Sequence, residues 1–319
     1  MVYDHSKNVS TLTSAGVLNP TVLKRFTKVW NAEVHLKVAL KFYRELSEKI
    51  QIPFFSELPL LRLINNIEEQ NNWIVACDRK EMSPFLYPKI IKCNLQYIKA
   101  PYGFGKVLGT GRIDTLTLIN GYKDYLIKNN QLIKESFDHQ LLIEKDHKVS
   151  YKDISAKIIV FSEGPSVINN LLFPKNLLIG NKGEYLIIKA PELKLKVMIK
   201  ASIFIIPLVN DLYKVGATYS HNDYTKKTTI KAREEIISKL SKIIQCPFEI
   251  VDQIAGIRPT TKDRRPLIGS LPENVNKYFF NGLGTRGILA APTFAHHLFQ
   301  YIENGKELPL EIDIKRFYK

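Results

Sequence analysis

The run Gly256-Ile257-Arg258-Pro259-Thr260-Thr261-Lys262-Asp263, continued by Pro266-Leu267-Ile268-Gly269 and closed by Phe279-Phe280-Asn281-Gly282-Leu283-Gly284-Thr285-Arg286-Gly287-Ile288, sets two arginines where a solvated surface charge would be out of place. Arg258 follows the apolar residues Ile250, Val251, Ile254 and Ala255 and sits between a glycine and a proline. Arg286 lies between Gly284 and Gly287, after a short apolar strand and before an apolar helix. A planar guanidinium pinned by stiff or bare backbone suits bidentate recognition of a carboxylate. The glycine-rich turn opening onto a helix offers free backbone N–H groups and a positive dipole end to an electron-rich ligand. The same residues admit a plainer reading, in which Arg258 is a buried structural ion pair and the glycines only turn the chain.

Taken together, G-x-R-P-x-T-x-D-x-x-P-x-I-G, then G-x-G-T-R-G and an apolar helix, resembles the C-terminal signature of the D-amino-acid oxidase superfamily. Glycine oxidase and the FAD domain of the bacterial tRNA 5-methylaminomethyl-2-thiouridine biosynthesis protein belong to it. The resemblance implies that Arg258 binds the substrate carboxylate. It places Gly284, Thr285, Gly287 and Ile288 against the pyrimidine end of the flavin, with Arg286 counted beside Arg258 as a catalytic residue. The implied fold is α/β (α+β), a Rossmann-like FAD/NAD(P)-binding domain interleaved with an antiparallel-sheet substrate domain. Residues 1–30, 110–170 and 252–319 are expected to form the FAD-binding domain, and residues 31–109 and 171–251 the substrate domain.

Working back to the N-terminus, Met1-Val2-Tyr3-Asp4 reads as the end of a β-strand closed by an acid, followed by a polar loop over residues 5–13. In a dinucleotide fold such an acid hydrogen-bonds a ribose hydroxyl. The segment resembles the family's second conserved block. Carried over, Asp4 is the ribose ligand, Ser10 and Thr11 approach the pyrophosphate, and Ala15 and Gly16 pass close to the flavin ring. The family places a strand, a G-x-G-x-x-G loop and a helix ahead of that acid, and this sequence opens after them. An N-terminally truncated domain is therefore expected, one that purifies colourless or aggregates unless extended. The glycines of Gly103-Phe104-Gly105-Lys106-Val107-Leu108-Gly109 do not replace the loop: their spacing differs, no buried strand precedes them, and Lys106 is followed by Val107 instead of the Ser or Thr of a P-loop.

Composition bounds the rest. The chain has 319 residues, 45% hydrophobic and 24% charged, enough for a large core and ordinary for a globular protein. Nothing resembles a signal peptide, and no apolar run approaches the roughly 20 residues of a membrane span. Cys77, Cys93 and Cys246 have no C-x-x-C spacing and suggest a reducing, cytoplasmic setting. The net charge of +15 invites a nucleic-acid partner, but lysine is spread along the chain with no basic run, and none is expected. No H-E-x-x-H or G-x-S-x-G pattern points to a metal or a hydrolase.

Apolar periodicity predicts a helix over 33–50 stopped by Pro53, another opened by Asp114 or Thr115, a cover helix over 231–245 and a last helix over 288–302 with Pro292 in its first turn. Residues 132–135 and 141–144 are expected to pair as a hairpin, and 158–161 to be a fully buried strand ended by Gly164. Gly164 falls where the family contacts the cofactor, although Glu163 replaces the Ala or Thr usual before it. Strands at meander spacing over 186–218 suggest an antiparallel sheet, on which Phe204 and Tyr219 stand at the family's pocket positions. Aromatics that merely fill a sheet face are the equal alternative.

The resemblance thus implies FAD-dependent oxidation of an amine, an α-amino acid or N-substituted glycine, with hydride transfer to flavin N5 and O2 or another electron acceptor. Two rivals remain: oxidation of a carboxymethylaminomethyl group on a tRNA wobble uridine, and a truncated member that keeps the fold without turnover.

Overall fold

The computed structural model describes residues 1–4, 10–145, 148–221, 223–273 and 276–318, so residues 5–9 of the expected polar loop lie outside the described residues. The architecture is mixed α/β and is dominated by an eight-stranded sheet. Ile179–Lys189 runs through its centre. Along one edge this strand pairs antiparallel with Glu249–Thr260, and along the other with Leu212–Gly216 and Ser220–His221. The sheet continues through Phe204–Pro207, Met198–Lys200, Leu60–Leu63 and Phe104–Val107. Met198–Lys200, Phe204–Pro207 and Leu212–Gly216 form the expected meander. Glu249–Thr260 passes through residue 252, so the domain boundary expected there falls inside a strand of this sheet.

The two faces of the sheet differ because strand side chains alternate. One presents Leu186, Ile188, Val215 and Ile205 to helix Ile230–Leu240, where Ile236 and Leu240 complete a dry core. The other presents Asn181, Gly183 and Tyr185 of the central strand, with Arg258, Gly256 and Ile254 directly opposite them. That second face receives residues 10–18: Ala15 and Val17 pack on the cluster of Leu60, Met198 and Ile206.

A smaller set of strands lies beside this sheet. Val2–Tyr3 pairs in parallel with Leu132–Ile133, and Ile159–Phe161 in parallel with Lys277–Asn281, which turns back to Leu267–Ser270. Leu132–Ile133 therefore does not form the expected hairpin; Leu142–Lys145 pairs instead with Lys148–Tyr151. Nor is Ile159–Phe161 fully buried. Val160 is 39% exposed, and among the described residues only one edge of this strand carries a partner. Among the described residues no helix is long and apolar enough to cross a membrane, and Cys77, Cys93 and Cys246 are free thiols.

The helices begin where the sequence marks them. Asp114 caps Thr115–Lys128 by accepting a hydrogen bond from the Thr117 amide at 3.1 Å. Ala32–Ile50 stops with Gln51 in the left-handed conformation, two residues before Pro53. The last helix, Gly287–Asn304, contains Pro292 past its first turn and not within it. Proline has no N–H, so the carbonyl four residues back, on Ile288, lacks its helical donor. The buried Tyr43 hydroxyl of helix Ala32–Ile50 donates to that carbonyl at 2.8 Å, while burial pushes its own pKa up.

This single hydroxyl therefore fixes the start of the last helix against its neighbour. Tyr43→Phe is expected to lower the unfolding free energy by about 1–3 kcal/mol in urea denaturation, the cost of leaving a buried carbonyl unpaired. A variant as stable as the parent would contradict the assignment.

Candidate active site

The sheet's second face gains its character from two facing glycines. Gly183 pairs with Gly256 across adjacent strands. A Cβ on Gly183 would stand 2.1 Å from a terminal nitrogen of Arg258, and one on Gly256 would stand 2.7 Å from Cβ of Thr13. The missing side chains thus leave a bare floor. The Arg258 guanidinium lies across one half, and the short helix Ser10–Thr13 packs onto the other.

Arg258 is half-buried. It reaches the Asn181 side-chain oxygen at 3.3 Å and the carbonyls of Asn181 and Thr218 at 3.5 Å, long contacts that hold it loosely. Its guanidinium carbon lies 4.5 Å from the ring centre of Tyr219, which is 64% exposed. Burial raises the pKa of Tyr185, and hydrogen-bonding Arg258 opposes that rise. No carboxylate forms an ion pair with Arg258 among the described residues. The plainer reading of this arginine, a buried structural ion pair, is therefore not what the structure shows.

Arg286 behaves differently. Its guanidinium donates to the Asn19 carbonyl at 2.7 Å and the Thr21 carbonyl at 2.9 Å, and burial lowers its pKa, with Tyr219 opposing. It clamps the Asn19–Thr21 segment to the start of the last helix. The residue expected beside Arg258 as catalytic thus holds two backbone carbonyls, one with each terminal nitrogen.

The turn before the last helix is open. Gly284 has φ +57°, and helix Gly287–Asn304 starts without a side-chain cap. Asn281 joins this turn to the Gly164 turn by donating to the Gly164 carbonyl at 2.9 Å. Gly164, with φ +56°, has nothing within 4 Å of the place a Cβ would take. Gly16, with φ +69°, passes so close to the Ile113 carbonyl that no side chain fits. Ser10 donates to the Ile257 carbonyl, and Thr11 and Ala15 are half-buried beside it. Asp4 is ion-paired with Lys123 at 2.6 Å. Glu163, the residue that departs from the family pattern, is hydrogen-bonded by His139 at 2.6 Å and by Asn170 at 2.8 Å.

These features fit a flavin. An uncapped 18-residue helix directs free amides and its positive end at the turn, and Gly164, with open space where a Cβ would stand, admits a close approach to its backbone. Phe204 lies on the same sheet face, opposite Gly216, with Lys200 Nζ 4.7 Å from its ring centre.

The sequence reading passed over residues behind this face that hold it in place. Lys182, fully buried, donates to Asp223 at 2.9 Å and Thr225 at 3.2 Å. Neighbouring Glu184 accepts from Thr229 and Gln253. Hydrogen bonds from Thr225 and then Lys182 hold the Asp223 carboxyl down at about 2. This network ties the segment after Tyr219 to the central strand. Tyr185 and Lys214 on the pocket face were also missed.

Comparison with known proteins identifies the family of the chain. The sequence profile of the FAD dependent oxidoreductase (DAO) family matches residues 10–301. Glycine oxidase of Bacillus subtilis (strain 168) is 28% identical over 211 residues, covering 61% of this chain and 57% of that protein. The chain thus spans little more than half of that relative's length. The tRNA 5-methylaminomethyl-2-thiouridine biosynthesis bifunctional protein of Azoarcus sp. (strain BH72) is 27% identical over 133 residues, covering 35% of this chain and 20% of that protein. The crystal structure of iminodiacetate oxidase from Chelativorans sp. BNC1 superposes with a TM-score of 0.77 at 18% identity, over 97% of this chain and 90% of that one, which shows a shared fold. With nearly the whole sequence matched by the family profile, the chain belongs to the DAO family of FAD dependent oxidoreductases.

Proposed function

We propose that the protein oxidises the amine of an α-amino acid or N-substituted glycine, with Arg258 as the carboxylate anchor. The observation that carries this reading is a half-buried arginine, seated over a glycine floor, that is stacked by Tyr219 and has no carboxylate partner among the described residues. FAD, when bound, supplies the hydride acceptor. The chain's own residues place the substrate. Arg258 receives the carboxylate in a two-pronged hydrogen bond, the Tyr219 and Tyr185 rings limit its tilt, and Phe204 closes the apolar side. Gly284, Thr285, Gly287 and Ile288 hold the electron-rich end of the cofactor at the positive end of the last helix. Asp4, Ser10, Thr11, Ala15, Gly16 and Gly164 line the remainder of its path. Loss of hydride and proton from the substrate leaves an imine, to which water adds. The match to glycine oxidase supports the amine and the carboxylate.

A second reading, a modified wobble uridine of tRNA, draws on the match to the tRNA-modifying protein and the net charge of +15. It predicts flavin bleaching by modified tRNA alone, with strong salt dependence.

In flavin-loaded protein, Arg258→Met is expected to weaken acetate binding by about thirtyfold or more, since breaking such a charged pair costs roughly 2–5 kcal/mol. The flavin should stay bound. Unchanged acetate affinity, read from perturbation of the flavin spectrum, would remove the assignment.

Gly183→Ala tests the floor itself. Its methyl would occupy the place of the guanidinium, which is the free end of a flexible side chain and can swing aside. Affinity for acetate is expected to fall by about tenfold, the worth of a charged hydrogen bond, with stability nearly unchanged. Equal affinity in parent and variant would show that the floor does not seat Arg258.

A further inference from the structure

The central strand presents Asn181, Gly183 and Tyr185 in turn to the pocket face, and the Arg258 guanidinium lies on the bare middle position. Tyr185 hydrogen-bonds it from one side, and Asn181 stands on the other. Residues directly opposite on paired strands share a face. Asn181 is opposite Arg258 on Glu249–Thr260 and opposite His221 on Ser220–His221. His221, Asn181 and Arg258 therefore form a polar row across neighbouring strands. Asn181 is 7% exposed, whereas His221 at the end of the row is exposed.

The arginine decides the direction of the hydrogen bonds along this row. A guanidinium has donors and no acceptor. The Asn181 carboxamide must therefore turn its oxygen to Arg258, and Oδ1 accepts from Nη1 at 3.3 Å. The amide nitrogen, which can only donate, then faces Nδ1 of His221 at 3.1 Å. That contact is a hydrogen bond only if Nδ1 carries no proton, so the imidazole accepts there and keeps its proton on Nε2.

A reversed carboxamide would set its NH2 against the guanidinium, donor against donor. The acceptor offered by His221 thus selects the orientation that holds Arg258. Asn181 is also neutral. It holds the guanidinium without cancelling the charge that a substrate carboxylate needs, which an acid in its place would do.

We infer that His221 and Asn181 are positioning residues for the carboxylate anchor. His221 sets the Asn181 carboxamide, and the carboxamide holds Arg258 over Gly183. The inference rests on the reading of Arg258 as that anchor, and the role it gives His221 runs through Asn181 alone.

The test is a double-mutant cycle read as acetate affinity, measured calorimetrically on protein supplied with excess FAD. His221→Leu removes the acceptor at an exposed position, and Asn181→Leu removes the carboxamide at nearly constant size. Each should weaken acetate binding by about tenfold, the worth of one hydrogen bond to a charged group. The double variant should bind no worse than the weaker single one, because residues acting in series are not additive. His221→Asn, which returns an acceptor oxygen near the place of Nδ1, should keep most of the parent's affinity. Unchanged affinity in His221→Leu would overturn the inference. So would His221→Asn as weak as His221→Leu, or losses that multiply to about a hundredfold in the double variant, as independent sites give. Should acetate fail to bind the parent, or bind Arg258→Met equally well, the anchor itself falls, and the roles of Asn181 and His221 with it.

Discussion

The cross-strand pair of Gly183 and Gly256 is the constraint on which the site depends. An antiparallel sheet normally covers both faces with side chains, and facing residues touch each other. Here both members of one facing pair lack a Cβ. The Arg258 side chain can therefore lie flat on its own sheet, and Thr13 can approach the backbone of the next strand. Any larger residue at 183 would lift the guanidinium away, and any at 256 would push back the segment that carries Ala15 and Gly16. One pair of missing methyl groups thus sets the distance between the substrate sheet and the segment along which we place the flavin.

The opposite face of the same strand explains why such an open floor is stable. Leu186 and Ile188 are anchored in the core beneath helix Ile230–Leu240, and Lys182 and Glu184 join the loop over residues 223–229 to the strand through buried, paired charges. Breaking such a network costs several kcal/mol, so the loop carrying Tyr219 has a rigid root while Tyr219 itself stays exposed. At the far end, Tyr43 supplies the hydrogen bond that Pro292 removes, and Arg286 clamps the Asn19–Thr21 segment to the start of the last helix. The elements around the pocket are each held from behind, leaving polar groups free in front.

Much of this was legible in the sequence. Gly256, Arg258 and Pro259 announced a constrained arginine, and the Gly284–Gly287 turn announced an open helix start. Asp114 was readable as a cap because it precedes an apolar period. What failed had a physical cause in each case. The hairpin expected over residues 132–144 required pairing partners close in sequence, whereas Leu132–Ile133 finds its partner at Val2–Tyr3. Gly183 gives no local signal, since its meaning lies in its register with Gly256. Lys214 sits in the apolar strand Leu212–Gly216, where the alternation is visible but the identity of the pocket face is not. Arg286 looked equivalent to Arg258 because each has a glycine two residues before it. Their difference is made by Asn19 and Thr21, more than two hundred residues away.

The central claim is that the negative charge of the substrate carboxylate, held by Arg258, positions the amine for oxidation. The direct measurement is anaerobic mixing of the flavin-loaded protein with α-amino acids and N-methylglycine, each alongside its carboxamide. The amide keeps the amine and removes the charge. The account predicts that at least one acid bleaches the flavin and that its amide does so about thirtyfold more slowly or worse, as loss of a charged pair requires. Equal bleaching by acid and amide would contradict it.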